Sequence, residues 1–250
     1  VQENNETISL LMNHASVRKY QDKPVSEELL AAIIEAGQMA STSSSVQAYS
    51  VIAVTDPALK AELAGLAGNQ AYIQQCPVFL IWCADLYRLR EVTKPHLQGE
   101  TSYEDSAENL IVATVDVALA AQNAAVAAES LGLGIVYIGG IRNRIGEVSD
   151  LLGLPELVYP IFGMCVGYPD GATSLRPRLP LEAVLHRNRY NAETTVEQVK
   201  TYDKISSDYM RERTHGAKDT PWSVIMAERL AQPARMHMKE FLLGKGFFKR

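Results

Sequence analysis

The sequence predicts an α+β fold with a mixed central sheet flanked by helices. Three observations predict it. Strand-like and helix-like segments alternate irregularly rather than in a repeating βαβ rhythm, a pair of helices precedes the first strand, and a polar helical tail follows the last one. The 250 residues and 47% hydrophobic content suffice for a large packed core.

Each element follows from local chemistry. Glu6 to Asn13 reads as a short helix. Ser26 with Glu27 and Glu28 starts the second, because a serine hydroxyl caps free backbone N–H groups and carboxylates favour the positive helix end. Leu29, Leu30, Ile33 and Ile34 continue at helical spacing until the run from Ser41 to Ser45 stops the helix. Tyr49 to Val54 reads as a strand, and Pro57 to Ala67 as a helix with proline in its first turn. Pro77 to Ala84 is almost continuously apolar and predicts a strand buried on both faces. Asp85 to Ser106 is polar and carries no element signal. Ala107 to Leu131 is the longest predicted helix. Its alanines imply close packing, and Gly132 and Gly134 end it. Ile135 to Ile138 and Pro160 to Gly167 are further strands, separated by a helix around Ile145 to Leu152. Beyond Pro180 helical stretches lie near Val196 to Arg211 and Trp222 to Leu242. That polar region suits an arm wrapping a partner subunit, or a plain helical cap.

Composition excludes several function classes. A net charge of −5 and a pI near 5.6 give no global attraction to nucleic acid or an anionic membrane. The apolar run from Leu110 to Ala128 contains Asp116, Gln122 and Asn123, so it reads as a buried helix and not a membrane span. Cys76, Cys83 and Cys165 form no CxxC pair, and their odd count excludes a full disulfide framework. They read as reduced buried thiols of a cytoplasmic protein. The five histidines are scattered, so no metal site is expected. No G-x-G-x-x-G fingerprint, P-loop, GxSxG elbow or HExxH motif occurs.

Four segments carry chemistry. In HASVRKY, His14, Ser16 and Arg18 alternate, so on an extended backbone they share one face suited to an anion. In RPRLP, Arg176 and Arg178 flank Pro177, and guanidiniums match phosphate oxygens through paired hydrogen bonds. Tyr137, Ile138, Gly139 and Gly140 end a strand in two glycines, which lets a planar ligand approach the backbone. Thr42, Ser43, Ser44 and Gln47 offer hydroxyls and N–H groups to a ribityl chain or ring edge. Taken alone, each segment also reads as an ordinary polar loop.

In this order the segments resemble the oxygen-insensitive NADPH nitroreductase and NADPH–FMN reductase family. The pattern runs through HxSxRxY at His14–Tyr20, the serine run, GNQAY at Gly68–Tyr72, GLGIVYIGGIRN at Gly132–Asn143 and RPRLP at Arg176–Pro180. The resemblance spans nearly the whole chain, to Trp222.

The resemblance implies a nitroreductase-like, FMN-dependent fold and an intertwined homodimer with flavin sites at its interface. Residues 1–190 would form the FMN-binding core, and 191–250 a helical C-terminal extension with an NADPH-binding loop. His14 and Ser16 would contact the flavin phosphate, and Arg18 the pyrimidine end, where a fixed cation stabilises growing negative charge. Arg176, standing where lysine is common, and Arg178 would hold the phosphate. Thr42, Ser43, Ser44, Gln47, Gln70 and Tyr72 would lie near the cofactor. Tyr137, Ile138, Gly139 and Gly140 would line the dimethylbenzene and N5 side. Glu108 matches an acidic position near the site mouth, or is simply a helix-face charge. Ala15 replaces an arginine common in the family, which removes one phosphate contact. Arg213 and Lys218, in RTHGAKDTPW, match the NADPH loop, and Arg142 is a second candidate for NADPH or an anionic substrate. No catalytic proton donor is expected, flavin N5 being the reactive centre.

The implied activity is two-electron transfer from NADPH to nitroaromatics, quinones or flavins by a ping-pong mechanism. The alternatives are an NADPH–FMN reductase supplying reduced flavin to a partner enzyme, and a flavin-binding sensor without turnover.

Overall fold

The structure, a computed structural model, describes residues 5–250. The chain folds into two compact units. One takes the chain up to Thr173 and again Arg235–Arg250, and the other is Ser174–Ala234. The division falls before the 190/191 boundary that the resemblance implies, and the last residues rejoin the first unit.

The first unit is built on a four-stranded sheet. Its strands are β1 (Tyr49–Val54), β2 (Val78–Asp85), β3 (Gly134–Ile138) and β4 (Val158–Gly167), in spatial order β1-β2-β4-β3. Every pairing is antiparallel. The parallel pairing expected of a mixed sheet is thus not found among the described residues. All eight residues of β2 are buried, as its unbroken apolar run requires.

Helices cover both faces of the sheet. They are α1 (Glu6–Met12), α2 (Glu27–Gln38), α3 (Pro57–Leu66), α4 (Ala71–Gln75), α5 (Tyr87–Thr93), α6 (Ala107–Ser130), α7 (Ile145–Leu151) and, after the excursion of the second unit, α10 (Met238–Gly244). On one face Leu80, Trp82 and Met164 pack against Ile33 of α2 and the alanines of α6. On the other, Phe79, Ile81 and Cys165 pack against Leu63 and Ala64 of α3 and Ile73 of α4. The small residues of α6 let α2 approach closely. A Cβ placed on Gly37 would come within 3.1 Å of the Ala120 carbonyl oxygen and 3.3 Å of the Ala124 Cβ. By length and composition α6 could cross a membrane, but Ala113, Val117, Ala120 and Ala124 are buried inside this unit.

Local signals fix the helix starts. Ser26 accepts from the Leu29 N–H at 3.3 Å, Asp56 from Leu59 at 2.7 Å, and Ser106 from Asn109 at 3.2 Å. One strand carries a defect. Trp82 faces Phe162 while Cys83 faces Pro160, so Ile161 bulges out of the ladder. Pro160 lacks an N–H and is tolerated at such an irregularity.

The second unit contains α8 (Ala192–Arg213) and α9 (Trp222–Ala231), with Tyr202 against Trp222 in an edge-on ring contact, 5.7 Å between centroids. The single helix expected from Trp222 to Leu242 is two helices. Pro233 forces Gln232 into an extended conformation (φ −99°, ψ 128°), which ends α9.

Candidate functional site

The HASVRKY segment is extended and pinned. The Val17 N–H donates to the Ile135 carbonyl of β3 at 2.9 Å, and Tyr20 bridges to Pro169. The Tyr20 hydroxyl donates back to the Val17 carbonyl at 2.8 Å. Val17 and Tyr20 are buried, so the alternation leaves Ser16 and Arg18 exposed. His14 does not share their freedom. Its Nδ1 lies 2.6 Å from Glu129 Oε1 in the last turn of α6. Tyr137 joins this cluster: burial, then the charge of Glu129, raises its hydroxyl above the usual tyrosine range. A carboxylate that sequence reasoning did not single out therefore holds His14 and acts by its charge on Tyr137.

The serine loop is held by a second unexpected carboxylate. Asp116 of α6 is fully buried, yet its Oδ1 accepts from the Ser43 N–H and its Oδ2 from the Ala48 N–H, both at 3.0 Å. Between these anchors Ser44 (φ 47°), Ser45 (φ 58°) and Gln47 (φ 53°) adopt left-handed conformations that non-glycine residues rarely take. Ser43, Ser44, Ser45 and Gln47 are exposed, and Thr42 is half-buried. Gln47 lies beside a cavity of about 580 Å³ also lined by Ser50, Asp85 and Arg88. The polar groups there satisfy one another. Ser50 donates to Asp85 at 2.5 Å, and Arg88 donates to the carbonyls of Gln47 (3.0 Å) and Tyr49 (2.6 Å).

The GNQAY and IGGIRN segments are brought together. Gln70 Nε2 donates to the Ala67 carbonyl at 2.7 Å, and the Tyr72 hydroxyl donates to Gln70 Oε1. A Cβ on Gly140 would lie 2.3 Å from Gln70 Nε2 and 2.4 Å from the Ala67 carbonyl oxygen. Gly140 is therefore small because its Cβ side packs against the protein's own neighbouring loop. Gly139 is different: a Cβ there would meet only Arg142 Nη2, at 3.5 Å. Ile138 is 1% exposed and packs in the core with Val136 and Ile141, so its backbone alone can line a site.

Arg142 is engaged within the fold rather than displayed to an anion. Its guanidinium donates to the Ile161 carbonyl at the β4 bulge, and its own carbonyl lies 3.0 Å from His237 Nε2. Burial, with nearby Arg235 adding, lowers its pKa from the usual arginine value. Glu108 is an exposed residue in the first turn of α6, where its charge suits the helix dipole.

In the second unit Arg176 and Arg178 are both exposed, and Arg178 Nη1 donates to the Arg176 carbonyl at 2.9 Å. The Tyr202 hydroxyl fixes the intervening Pro177 carbonyl at 3.1 Å. Tyr209 links the two cationic segments. Its hydroxyl lies 3.4 Å from Ser174 Oγ, and that contact lowers its pKa, with Arg213 and Arg176 contributing in the same direction. Arg213 and Lys218 are exposed. The turn between them is closed by the Lys218 N–H donating to Thr214 Oγ1 at 2.9 Å, with His215 and Gly216 at positive φ.

Among the described residues, no group of three His, Cys, Asp or Glu side chains is placed to hold a metal ion. The arrangement instead offers hydroxyls and guanidiniums, a donor set for an anionic, hydroxyl-bearing ligand.

The family model described as the nitroreductase family matches residues 11–168, and that of the nitroreductase family, C-terminal domain, matches 176–250. The chain is 42% identical over 247 residues to a Bacillus subtilis protein named FMN reductase (NADPH), covering 98% of this chain and 99% of that one. It is 40% identical over 246 residues to the NADPH-flavin oxidoreductase of Vibrio harveyi, covering 98% and 100%. Among solved structures it is similar to B. megaterium NfrA1, with TM-score 0.95 and 47% identity over 98% of this chain and 100% of that one.

Proposed function

This chain belongs to the nitroreductase family, and on that premise we propose that it moves two electrons from NADPH to nitroaromatic, quinone or flavin acceptors in a ping-pong cycle. It is an oxidoreductase using FMN and NADPH. Bound FMN supplies the two-electron redox chemistry, and the protein supplies binding, orientation and electrostatics.

The residues fit such a cofactor. The first unit offers the exposed Ser16, Arg18, Ser43 and Ser44, and the Gly139 backbone, over which only the Arg142 side-chain tip lies. The second offers the exposed Arg176 and Arg178. The observation that carries the reading is the Arg18 segment, whose backbone is hydrogen-bonded to β3 so that the guanidinium is presented from a fixed base. A cation already in place stabilises charge developing at the pyrimidine end without reorganising first. Glu129 holds His14 Nδ1 and so fixes the orientation of the ring at the start of this segment.

Arg213 and Lys218 are the residues we assign to the 2′-phosphate of NADPH. Arg213→Ala should raise KM for NADPH about tenfold while leaving KM for NADH nearly unchanged, since an Arg–phosphate pair contributes on the order of 1.4 kcal/mol or more. Equal effects on both would count against the assignment.

We also propose a homodimer. Ile111, Val115 and Leu119 stand exposed at four-residue spacing on α6, and Ile8, Leu11 and Met12 are exposed on α1. A second copy would remove this apolar surface from water. The buried, unlinked thiols agree with a cytoplasmic setting.

The names of the two curated relatives favour free flavin as the acceptor, the second reading. Comparing kcat/KM for free FMN with that for a nitrofuran separates it from the first. The purified protein should be yellow and should bleach anaerobically with NADPH. Bound flavin without NADPH oxidation by any acceptor would overturn both readings in favour of a sensor.

A further inference from the structure

We infer that Asn143 is a positioning residue: anchored by Arg235, it sets how the GNQAY and IGGIRN segments meet, and so which surface they offer to the flavin ring. The inference rests on the FMN reading above. Every residue it uses lies in the first unit.

The two segments meet at one carbonyl. Helix α3 ends at Leu66, and the Ala67 carbonyl just beyond it is of the kind that a helix end leaves without an internal donor. Two side chains supply donors instead. Gln70 Nε2 reaches it at 2.7 Å from the same segment, and Asn143 Nδ2 at 3.4 Å from the other. Gln70 is itself oriented by Tyr72, whose hydroxyl donates to Gln70 Oε1. Two glycines clear the approach. A Cβ on Gly68, where φ is +92°, would stand 3.2 Å from Asn143 Nδ2, and one on Gly140 would collide with the Ala67 carbonyl.

Asn143 is held from its other sides as well. Its backbone N–H donates to the Gly140 carbonyl at 2.8 Å, and its Oδ1 accepts from Arg235 Nε at 3.0 Å. Arg235 is where the chain re-enters the first unit, and its backbone is left-handed (φ 53°), which a non-glycine residue adopts under constraint. Two residues on, His237 Nε2 donates to the Arg142 carbonyl at 3.0 Å. The returning chain thus grips residues 142 and 143 at two points, close to the Gly139 backbone.

The amide is suited to this place. Its oxygen faces a guanidinium that can only donate, and its nitrogen faces a carbonyl that can only accept. Asn143 is exposed, so it contributes little to the core and instead joins three segments distant in sequence. A small shift of Gln70 against Gly139 would alter the geometry of hydride delivery without removing any group that binds NADPH.

The test uses the full chain with FMN bound. Asn143→Ala should leave the apoprotein melting within about 4 °C of the unmutated protein. At saturating FMN the visible circular dichroism of the flavin should change, anaerobic single-turnover reduction by NADPH should slow about tenfold, and KM for NADPH should stay within about twofold. Asn143→Asp keeps the acceptor for Arg235 but sets an oxygen against the Ala67 carbonyl, and should match or exceed Asn143→Ala in both spectrum and rate. Arg235→Ala should move the dichroism in the same direction, and adding it to Asn143→Ala should move it no further. A loss confined to FMN affinity, with spectrum and rate unaltered at saturation, is what a merely structural contact would give and overturns the inference. If the unmutated protein takes up no FMN, the cofactor reading falls and this inference with it. If it is loaded and bleached by NADPH while either Asn143 variant behaves identically, this inference alone falls.

Discussion

The serine loop and the RPRLP segment both present polar groups to solvent, but they are shaped in opposite ways. The serine loop has three non-glycine residues at positive φ, each costing about 1 kcal/mol or more. It is held from outside by Asp116, whose two charge-assisted hydrogen bonds contribute about 1.5–3 kcal/mol each. The anchor and the strain are of the same order, so the conformation depends on a residue about seventy positions away. RPRLP is shaped from within. Pro177 and Pro180 set their own φ, and Arg178 closes onto the Arg176 carbonyl. The difference teaches that one donor array is a tertiary product and the other a local one.

Three substitutions break or sharpen that contrast, and the largest effect belongs to the tertiary anchor. Asp116→Ala leaves two buried N–H groups without partners and should cost about 3–5 kcal/mol, lowering the thermal midpoint by roughly 10 °C. FMN affinity should fall with it. A thermal midpoint within a degree or two of the unmutated protein would show that the loop holds its shape unaided. Arg178→Ala should act locally, weakening FMN binding about tenfold while apoprotein melting stays unchanged. A large drop in apoprotein stability would erase the distinction between the two segments. Glu129→Gln should have the smallest effect, a few-fold loss of FMN affinity, because His14 keeps a neutral hydrogen bond at a partly exposed pair. Flavin fluorescence titration reads the affinity in each case, and an unaltered curve for Glu129→Gln would exclude a role for that carboxylate.

Much of the fold was legible because local chemistry agreed with the final packing. The cap at Ser26, the first-turn Pro57 and the apolar run of β2 led to the observed elements within a residue or two. The sheet's antiparallel order was not legible, since pairing partners far apart in sequence leave no local mark. α4 was missed because five residues carry too little periodicity, and α5 because its stretch is polar on most sides. At the candidate site the extended, alternating character of residues 14–20 could be read from spacing. The capture of His14 by Glu129 and of the serine loop by Asp116 could not. Asp116 did leave one clue, a lone carboxylate inside an apolar helix, where a buried charge must find partners. Gly140 shows the reverse case, in which a residue type was noticed and its reason lay in packing against Ala67 and Gln70.

The return of the chain to the first unit has a consequence for biogenesis. Phe247 is fully buried, the Leu157 N–H donates to the Lys245 carbonyl at 2.7 Å, and the Ala107 N–H to the Arg250 carbonyl at 2.8 Å. A nascent polypeptide that has already emerged through β4 still lacks the aromatic plug and the strap of backbone bonds that seal its interior. Translation of the whole 174–234 excursion must come first. Ribosome-bound intermediates halted there should stay protease-sensitive and engage chaperones, becoming resistant only after the closing residues leave the exit tunnel.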